Sequence, residues 1–149
     1  MLVERTLADR VLPLPPRRMH RFQKLVVWQR AHALSVALYG SDALDDSYRY
    51  RDLVRQLRRC AGSISANIAE GAGSSSRPAF ANYLGIALAS AHELECHLLL
   101  ARDIGCIKHG RDDQFAREAE EIKRMLTVLQ QRIRSATQVA RRTNGSSSS

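Results

Sequence analysis

Apolar residues recur along the chain at alternating intervals of four and three positions, the spacing that places side chains on one face of an α-helix. Four segments show this pattern, and none shows the sustained alternation of a β-strand. Their apolar rows are Val27, Ala31, Leu34 and Leu38; Tyr50, Val54, Leu57, Ala61, Ile64 and Ile68; Phe80, Leu84, Ala87, Ala91, Leu94, Leu98 and Ala101; and Phe115, Ala119, Ile122, Leu126, Leu129 and Ile133. The pattern predicts four amphipathic helices.

Turn and cap residues indicate where these helices begin and end. The first helix is predicted to end at Gly40, and the second to run from near Ser47 to Gly71. A serine before Pro78 can cap the third helix, since its hydroxyl can accept a hydrogen bond from an unpaired backbone N–H of the first turn. Pro78 fits that turn, because the N–H that proline lacks would have no partner there anyway. The fourth helix opens at Asp112, where a carboxylate matches the positive end of the helix dipole.

The connections after the second and third helices are too short for a crossover, so neighbouring helices must run antiparallel. We therefore predict an all-α fold, an up-down-up-down antiparallel four-helix bundle over residues 22–142. Residues 1–21 contain basic residues and three closely spaced prolines, which disfavour a helix, and are interpreted as a basic arm. Residues 143–149 have no core to pack against and are expected to be a disordered tail.

Charge is the strongest compositional signal. The 149 residues include 23 Lys and Arg against 15 Asp and Glu, a formal net charge of +8, whereas aromatic residues make up 5%. This balance favours polyanionic partners such as RNA or DNA. Two alternatives stay open, namely that the arginine-rich helices are simply well solvated and that the partner is an acidic protein.

Targeting signals and cysteine usage indicate a compartment. We find no run of about 18 apolar residues and no apolar signal-peptide core, so we expect a cytoplasmic protein that neither is secreted nor spans a membrane. Cys60, Cys96 and Cys106 follow no zinc-binding spacing. They are interpreted as small buried residues kept reduced.

Basic residues concentrate in the arm, in the first turns of the second helix and in the C-terminal segment. Arg51, Arg55 and Arg58 share one helical face, which suits contact with a phosphate backbone. We expect no aromatic residues interleaved with these basic residues, and therefore no platform on which bases stack. Binding should then depend on contacts with the phosphate backbone, which makes it sensitive to salt and weakly selective for sequence. The candidate nucleic-acid-binding residues are Arg17, Arg18, Arg21, Lys24, Arg51, Arg55, Arg58, Lys123, Arg124, Arg132, Arg141 and Arg142.

Catalytic and metal-binding patterns are not recognisable in the sequence. The chain has neither the Gly-x-Ser-x-Gly turn of hydrolases nor the lysine of a phosphate-binding loop, so we predict no enzymatic activity. Two pairs on the third helix, His92 with Cys96 and Glu93 with His97, have the spacing of metal ligands. Each pair offers only two ligands and has no counterpart on another helix, so we predict neither a metal site nor a cofactor.

A stripe of polar residues adjoins the apolar row of the second helix. We predict that Glu70 and Glu93 pair with Arg58 or Arg59 across helices and thereby fix register and assembly, the alternative being that these side chains reach solvent. A second row on each of the second and third helices predicts self-association, and small residues would permit close helix approach there. These residues are Gly62, Ser63, Ala66, Gly85, Ala89 and Ser90. The predicted polar network comprises Gln56, Arg59, Ser63, Asn67, Glu70 and Glu93.

Three segments resemble one known family closely: FQKLVVWQRA, QLRRCAGSISANIAEGAG and YLGIALASAHELECHLLLARDIG. They are similar to bacterial four-helix-bundle proteins encoded within 23S ribosomal RNA intervening sequences, a family that also includes the accessory variability determinant of diversity-generating retroelements. The similarity extends over about residues 22–107.

This resemblance implies a ring-like homopentamer without known enzymatic activity. In the retroelement branch it implies binding of nucleic acid and of a reverse transcriptase, and the net charge favours that branch. The intervening-sequence branch has no settled molecular role, so a self-assembling scaffold without nucleic acid is the alternative.

Overall fold

The computed structural model describes residues 21–145, with only the backbone of Arg21. Within this part of the chain the secondary structure is helical, apart from one isolated bridge between Leu44 and Ile107. The elements are a short 3-10 turn, Arg21–Lys24, followed by α1, Val26–Gly40; α2, Arg51–Gly73; α3, Arg77–Asp103; and α4, Asp112–Gly145. The predicted all-α class is confirmed.

Consecutive helices pack against one another, and α4 closes the bundle by returning to α1. The predicted apolar rows form the core between them, where each fully buried Leu, Ile or Phe side chain contributes about 1.5–3 kcal/mol. The largest of the fully buried side chains are Leu34, Leu38, Leu57, Ile64, Ile68, Leu84, Leu94, Phe115, Ile122 and Leu126. The up-down-up-down four-helix bundle is therefore confirmed.

The start of α3 follows the predicted cap chemistry. The Ser76 side chain accepts a hydrogen bond from the backbone N–H of Ala79 at 3.2 Å, and Pro78 lies in the first turn. At the other end, Gly105 adopts a φ of 78°, and the N–H of Cys106 donates to the Ala101 carbonyl at 2.8 Å. A left-handed glycine after the last turn is the common way to satisfy these final carbonyls.

Two helix ends differ from the sequence-based expectation. Residues 47–50 form a hydrogen-bonded turn, so α2 begins at Arg51 rather than near Ser47. In contrast, α4 extends to Gly145, three residues into the predicted tail, and the Thr143 hydroxyl donates to the Ala140 carbonyl there. Residues 1–20 and 146–149, which include most of the predicted arm and tail, lie outside the described residues.

The connection after α1 and the connection after α3 meet at the same end of the bundle. The N–H of Asp45 donates to the Cys106 carbonyl at 2.8 Å, and the N–H of Lys108 donates to the Ala43 carbonyl at 2.7 Å. Because these bonds satisfy backbone groups of both connections, they hold the two segments together as a short antiparallel pair.

Length and composition alone would allow α3 to cross a membrane, since its most apolar 18-residue window has a mean hydropathy of 1.2. Core helices of proteins that never enter a membrane pass the same test. One face of α3, including Leu84 and Leu98, packs inside the bundle, whereas Glu93 in its middle is exposed. The apolar residues of its outer face are described below.

Candidate nucleic-acid interface

The densest basic surface is a cleft where the end of α1 meets the first turns of α2. Its volume is about 710 Å³. Four arginines and one aspartate line it, so the cleft carries excess positive charge. We call it the arginine cleft, and it is lined by Tyr39, Asp46, Arg51, Arg55, Arg58 and Arg59.

Arg58 forms the wall of the arginine cleft. Its side chain, 21% exposed, makes an ion pair with Asp46 at 2.8 Å and donates from Nε to the Leu38 carbonyl at 3.2 Å. The guanidinium also lies over the Tyr39 ring, 5.6 Å from its centroid. These contacts occupy Nε and Nη2 of Arg58 and hold its side chain in place, so Arg58 is less available to a phosphate than the exposed arginines. Its role in nucleic-acid binding stays a prediction.

Arg51 and Arg55 are the accessible cations of the arginine cleft. Both are exposed, and the ion pair of Arg55 with Asp52 is long, at 3.7 Å. Pairs of this kind in full solvent contribute little, so their disruption by a ligand costs little. Both guanidinium groups are thus accessible to a phosphate, and their contact with nucleic acid stays a prediction.

Aromatic rings are interleaved with the basic residues beside this cleft, contrary to expectation. Arg51 lies over the ring of Tyr48 at 5.4 Å, and Arg49 over that of Tyr50 at 5.5 Å. Tyr48 is 87% exposed. The alternating Tyr-Arg-Tyr-Arg run at positions 48–51 was visible in the sequence, but apolar periodicity assigned those positions to a helix.

The predicted basic group on α4 is divided by the fold. Lys123 is only 13% exposed and bonds the carboxylates of Glu95 at 2.7 Å and Glu120 at 2.8 Å. Burial acts to lower the pKa of Lys123, but the hydrogen bonds to Glu120 and Glu95 outweigh it and raise that pKa, while the Lys123 hydrogen bond lowers the pKa of Glu120. Lys123 thus connects α3 to α4 and has little surface left for a ligand, and its predicted contact with nucleic acid stays a prediction.

The other predicted cations that the structure describes lie apart from the arginine cleft. Arg124 and Arg132 are exposed beside a groove of about 410 Å³ between α1 and α4, and Arg124 makes a 3.4 Å ion pair with Glu121. Arg141 and Arg142 are exposed in the last turns of α4, at the opposite end of the bundle. Lys24 is exposed in the 3-10 turn, and Arg17 and Arg18 lie outside the described residues. Among the described residues, the basic groups of α2 and α4 therefore do not come together in one chain.

Part of the predicted polar network forms between α2 and α3. The hydroxyls of Ser63 and Ser90 lie 2.9 Å apart, and the Asn67 amide donates to the Ser63 carbonyl at 2.8 Å. These small side chains therefore serve packing within one chain. Gly85 likewise permits close packing within one chain, here of α3 against α4, because an added Cβ would lie 3.0 Å from the Gln130 amide nitrogen.

The pairing predicted for Glu70 is not found within residues 21–145. Glu70 is exposed and has no polar partner in residues 21–145, and Arg59 instead donates to Gln56 at 3.0 Å. Since Glu70 is eleven positions beyond Arg59, about 16 Å along the helix, the predicted pairing within one chain is wrong. Pairing of Glu70 across two copies stays a prediction.

Glu93 belongs to a different group of side chains. One ligand atom each of Cys60, Glu93 and His97 lies within 4.8 Å of the other two. Cys60 is on α2, in the polar stripe that faces α3, so its sulfur lies beside the Glu93 and His97 side chains of α3. Burial, and next the Glu93 carboxylate, raise the pKa of the Cys60 thiol to about 11.

The outward face of α3 carries a second row of mostly apolar and small residues. Ile86 and Leu100 are about half exposed, Ala89 and Cys96 are exposed between them, and Glu93 is the charged member of the row. Cys96 was expected to be buried, and this expectation is wrong. The spacing of three and four positions is that of a helix packing seam. Within residues 21–145 no element covers this row, which we call the outer α3 row.

Comparison with known proteins agrees with the architecture. The sequence profile of the 23S rRNA-intervening sequence protein family matches residues 23–128. A solved structure of a protein of unknown function from the S23 ribosomal protein family of Bacteroides thetaiotaomicron is 28% identical, with a TM-score of 0.65, covering 70% of this chain and 97% of that one. No curated protein matches the chain. Because the profile spans well over half of the residues, the chain belongs to the 23S rRNA-intervening sequence protein family.

Proposed function

We propose that this protein is a non-enzymatic, self-associating bundle that binds nucleic acid in the cytoplasm through the arginine cleft. The observation that carries the proposal is the arrangement of four arginines around one carboxylate beside an exposed tyrosine. Guanidinium groups present paired donors that match phosphate oxygens, so such a surface suits a nucleic-acid backbone.

The arrangement favours unpaired strands. Arg51 and Arg55 are accessible and can neutralise phosphates, while Arg58, paired with Asp46, forms a fixed wall of the cleft. Tyr48 offers a solvent-facing ring on which an unpaired base can stack, an interaction worth about 1–3 kcal/mol. A duplex can use only the charge, so a single strand is the preferred ligand.

Self-association would multiply these contacts. The outer α3 row supports assembly of identical subunits, and the family resemblance supports a ring of five. A ring would present several arginine clefts to one strand, which raises avidity without any new contact in each subunit. The same row favours the alternative function, a scaffold that assembles without nucleic acid.

The protein partner follows from the resemblance alone. Similarity to the retroelement accessory determinant extends the proposal to a reverse transcriptase, which would copy a template RNA held by the ring. A reverse transcriptase gene beside this one, with template and variable repeats, would support that partner. Its absence would favour the scaffold.

The test is a fluorescence-anisotropy titration against single-stranded RNA and duplex DNA at several salt concentrations. We expect wild-type affinity to fall steeply with salt, and Arg51→Gln with Arg55→Gln to reduce both affinity and slope. Two phosphate contacts contribute about 1.4 to the logarithmic slope on a single strand. A Tyr48→Ala variant should lose affinity for RNA more than for duplex DNA.

The matched control removes two charges elsewhere, as Arg124→Gln with Arg132→Gln. Equal losses in both double variants would move the contact away from the arginine cleft. Salt-independent binding, or none at low salt, would leave only the scaffold.

A further inference from the structure

The interface between α2 and α3 contains three side chains that together make a set of metal ligands. Cys60 is buried on α2, and Glu93 and His97 lie one turn apart on α3. Sulfur, imidazole nitrogen and carboxylate oxygen are the donors that Zn²⁺ combines in proteins. We propose that Cys60, Glu93 and His97 bind one Zn²⁺ ion per chain.

The distances fit such an ion. Bonds of about 2.0–2.3 Å in a tetrahedral site place ligand atoms about 3.5 Å apart. His97 Nε2 and Glu93 Oε1 are already 3.5 Å apart, and all three ligand atoms lie within 4.8 Å. A shift of about 1 Å at the sulfur, or a rotamer change of Glu93, would complete the triangle. The Glu93 side chain can move, because it is 52% exposed.

Charge and donor type both select a transition metal. A thiolate, a carboxylate and a neutral imidazole carry two negative charges, which one divalent cation neutralises. The sulfur ligand disfavours Mg²⁺ and Ca²⁺, which take oxygen ligands. On binding, the S–H bond of Cys60 breaks, a sulfur–zinc bond forms and the proton leaves to solvent. Competition with that proton weakens the site at neutral pH, since burial raises the pKa of the thiol.

The burial pattern provides an entry path. In the single chain the sulfur lies inside the bundle, His97 is 25% exposed and Glu93 faces solvent, so an ion can enter from the carboxylate side before subunits associate through the outer α3 row. Three protein ligands leave the fourth position of a tetrahedron to water. The site would connect α2 to α3 beside the Ser63–Ser90 hydrogen bond, and it does not depend on the arginine cleft.

Cobalt is the probe of choice, because Co²⁺ occupies zinc sites and a cobalt–thiolate bond gives a charge-transfer absorption in the near ultraviolet. The full chain, free of any histidine tag and fully reduced, is titrated with Co²⁺ while equilibrium dialysis counts bound ions. We expect one ion per chain, the charge-transfer band, and loss of both when Zn²⁺ is added in competition. The Cys60→Ser variant should lose the band, and His97→Gln should bind at least tenfold more weakly.

Two matched controls lie on the same helix. Cys96→Ser removes an exposed thiol, and His92→Gln removes an imidazole that pairs with Glu95 rather than with the proposed site. Both should behave as wild type, with circular dichroism verifying the fold of all four variants. The proposal is overturned if the wild type shows no charge-transfer band, if the band survives Cys60→Ser, or if Cys96→Ser abolishes it.

Discussion

Arg58 and Lys123 show that counting charges along a sequence overestimates the charge available to a ligand. Arg58 is neutralised by Asp46, and Lys123 by two glutamates on different helices. Such pairs have little net effect on stability when both partners are replaced together, but removing one partner leaves the other uncompensated. Substitution of Arg58 or Lys123 should therefore lower the stability of the fold more than it lowers the affinity for a ligand.

We predict that Lys123→Met lowers the free energy of unfolding by about 1 kcal/mol at neutral pH, the upper end for a pair that is partly exposed. Glu120 has a lowered pKa, so its contribution is present above its unfolded value of 4.5 and is lost as pH falls through the folded value. Lys123 has a raised pKa, so its contribution is present below 10.5 and is lost as pH rises through the folded value. Urea unfolding measured from acidic to alkaline pH should show that the free energy of unfolding depends less on pH in the variant than in the wild type.

Arg124→Met is the control for that prediction, because it removes the same charge from an exposed pair with Glu121. We expect it to change stability by less than about 0.5 kcal/mol. Equal destabilisation by both variants would show that net charge, and not the buried contact, is responsible.

At the scale of the elements, the close approach of α2 and α3 depends on a glycine near their shared turn. A Cβ at Gly71 would lie 2.7 Å from Phe80 Cδ2 and 2.8 Å from Tyr83 Cβ, whereas a Cβ at Gly73 would meet nothing within 4 Å. Close packing of α2 and α3 therefore requires a glycine at position 71 but not at position 73.

We predict that Gly71→Ala destabilises the bundle by about 1–3 kcal/mol, because the helices must separate to admit the methyl group. Gly73→Ala should be neutral or stabilising by up to about 1 kcal/mol, since alanine restricts the unfolded chain. Chemical denaturation of the two variants measures the difference. A similar cost at both sites would indicate a loss of glycine flexibility instead of a steric clash.

The predictability of the fold also differs between elements. Residues such as Leu57, Leu94 and Ile122 lie in rows that only a helix can align, so the four helices and their buried faces follow from spacing alone. The Arg58–Asp46 pair and the meeting of Cys60 with Glu93 depend on turn geometry and on the rotation of one helix against another. The spacing of apolar residues specifies neither the turn geometry nor the rotation between helices. The arginine cleft and the cluster of Cys60, Glu93 and His97 could therefore not be predicted in full.

At the scale of the whole molecule, the outer α3 row is the surface most suited to contact between subunits. We predict that Ile86→Glu with Leu100→Glu converts the assembly into a smaller species, because charges would be buried without partners at the contact. Light scattering at micromolar concentration measures the mass. The control, Val36→Glu with Val139→Glu, changes two exposed apolar residues on α1 and α4 and should keep the wild-type mass.

If the first pair of substitutions leaves the mass unchanged, the contact lies elsewhere on the bundle. If the wild type is itself a monomer, neither the ring nor its multiplied binding sites can exist. In that case each arginine cleft would act alone, with a correspondingly smaller dependence on salt.

The backbone pairing of the two connections at one end of the bundle has a thermodynamic consequence. It holds Asp45 against Cys106 and Lys108 against Ala43, beside the turn that carries Asp46 and Tyr48. A ligand that enters there meets a backbone whose conformational freedom was already lost during folding. Association then incurs a smaller entropic penalty than it would on an unconstrained loop, so more of the attraction between phosphate and guanidinium appears as affinity.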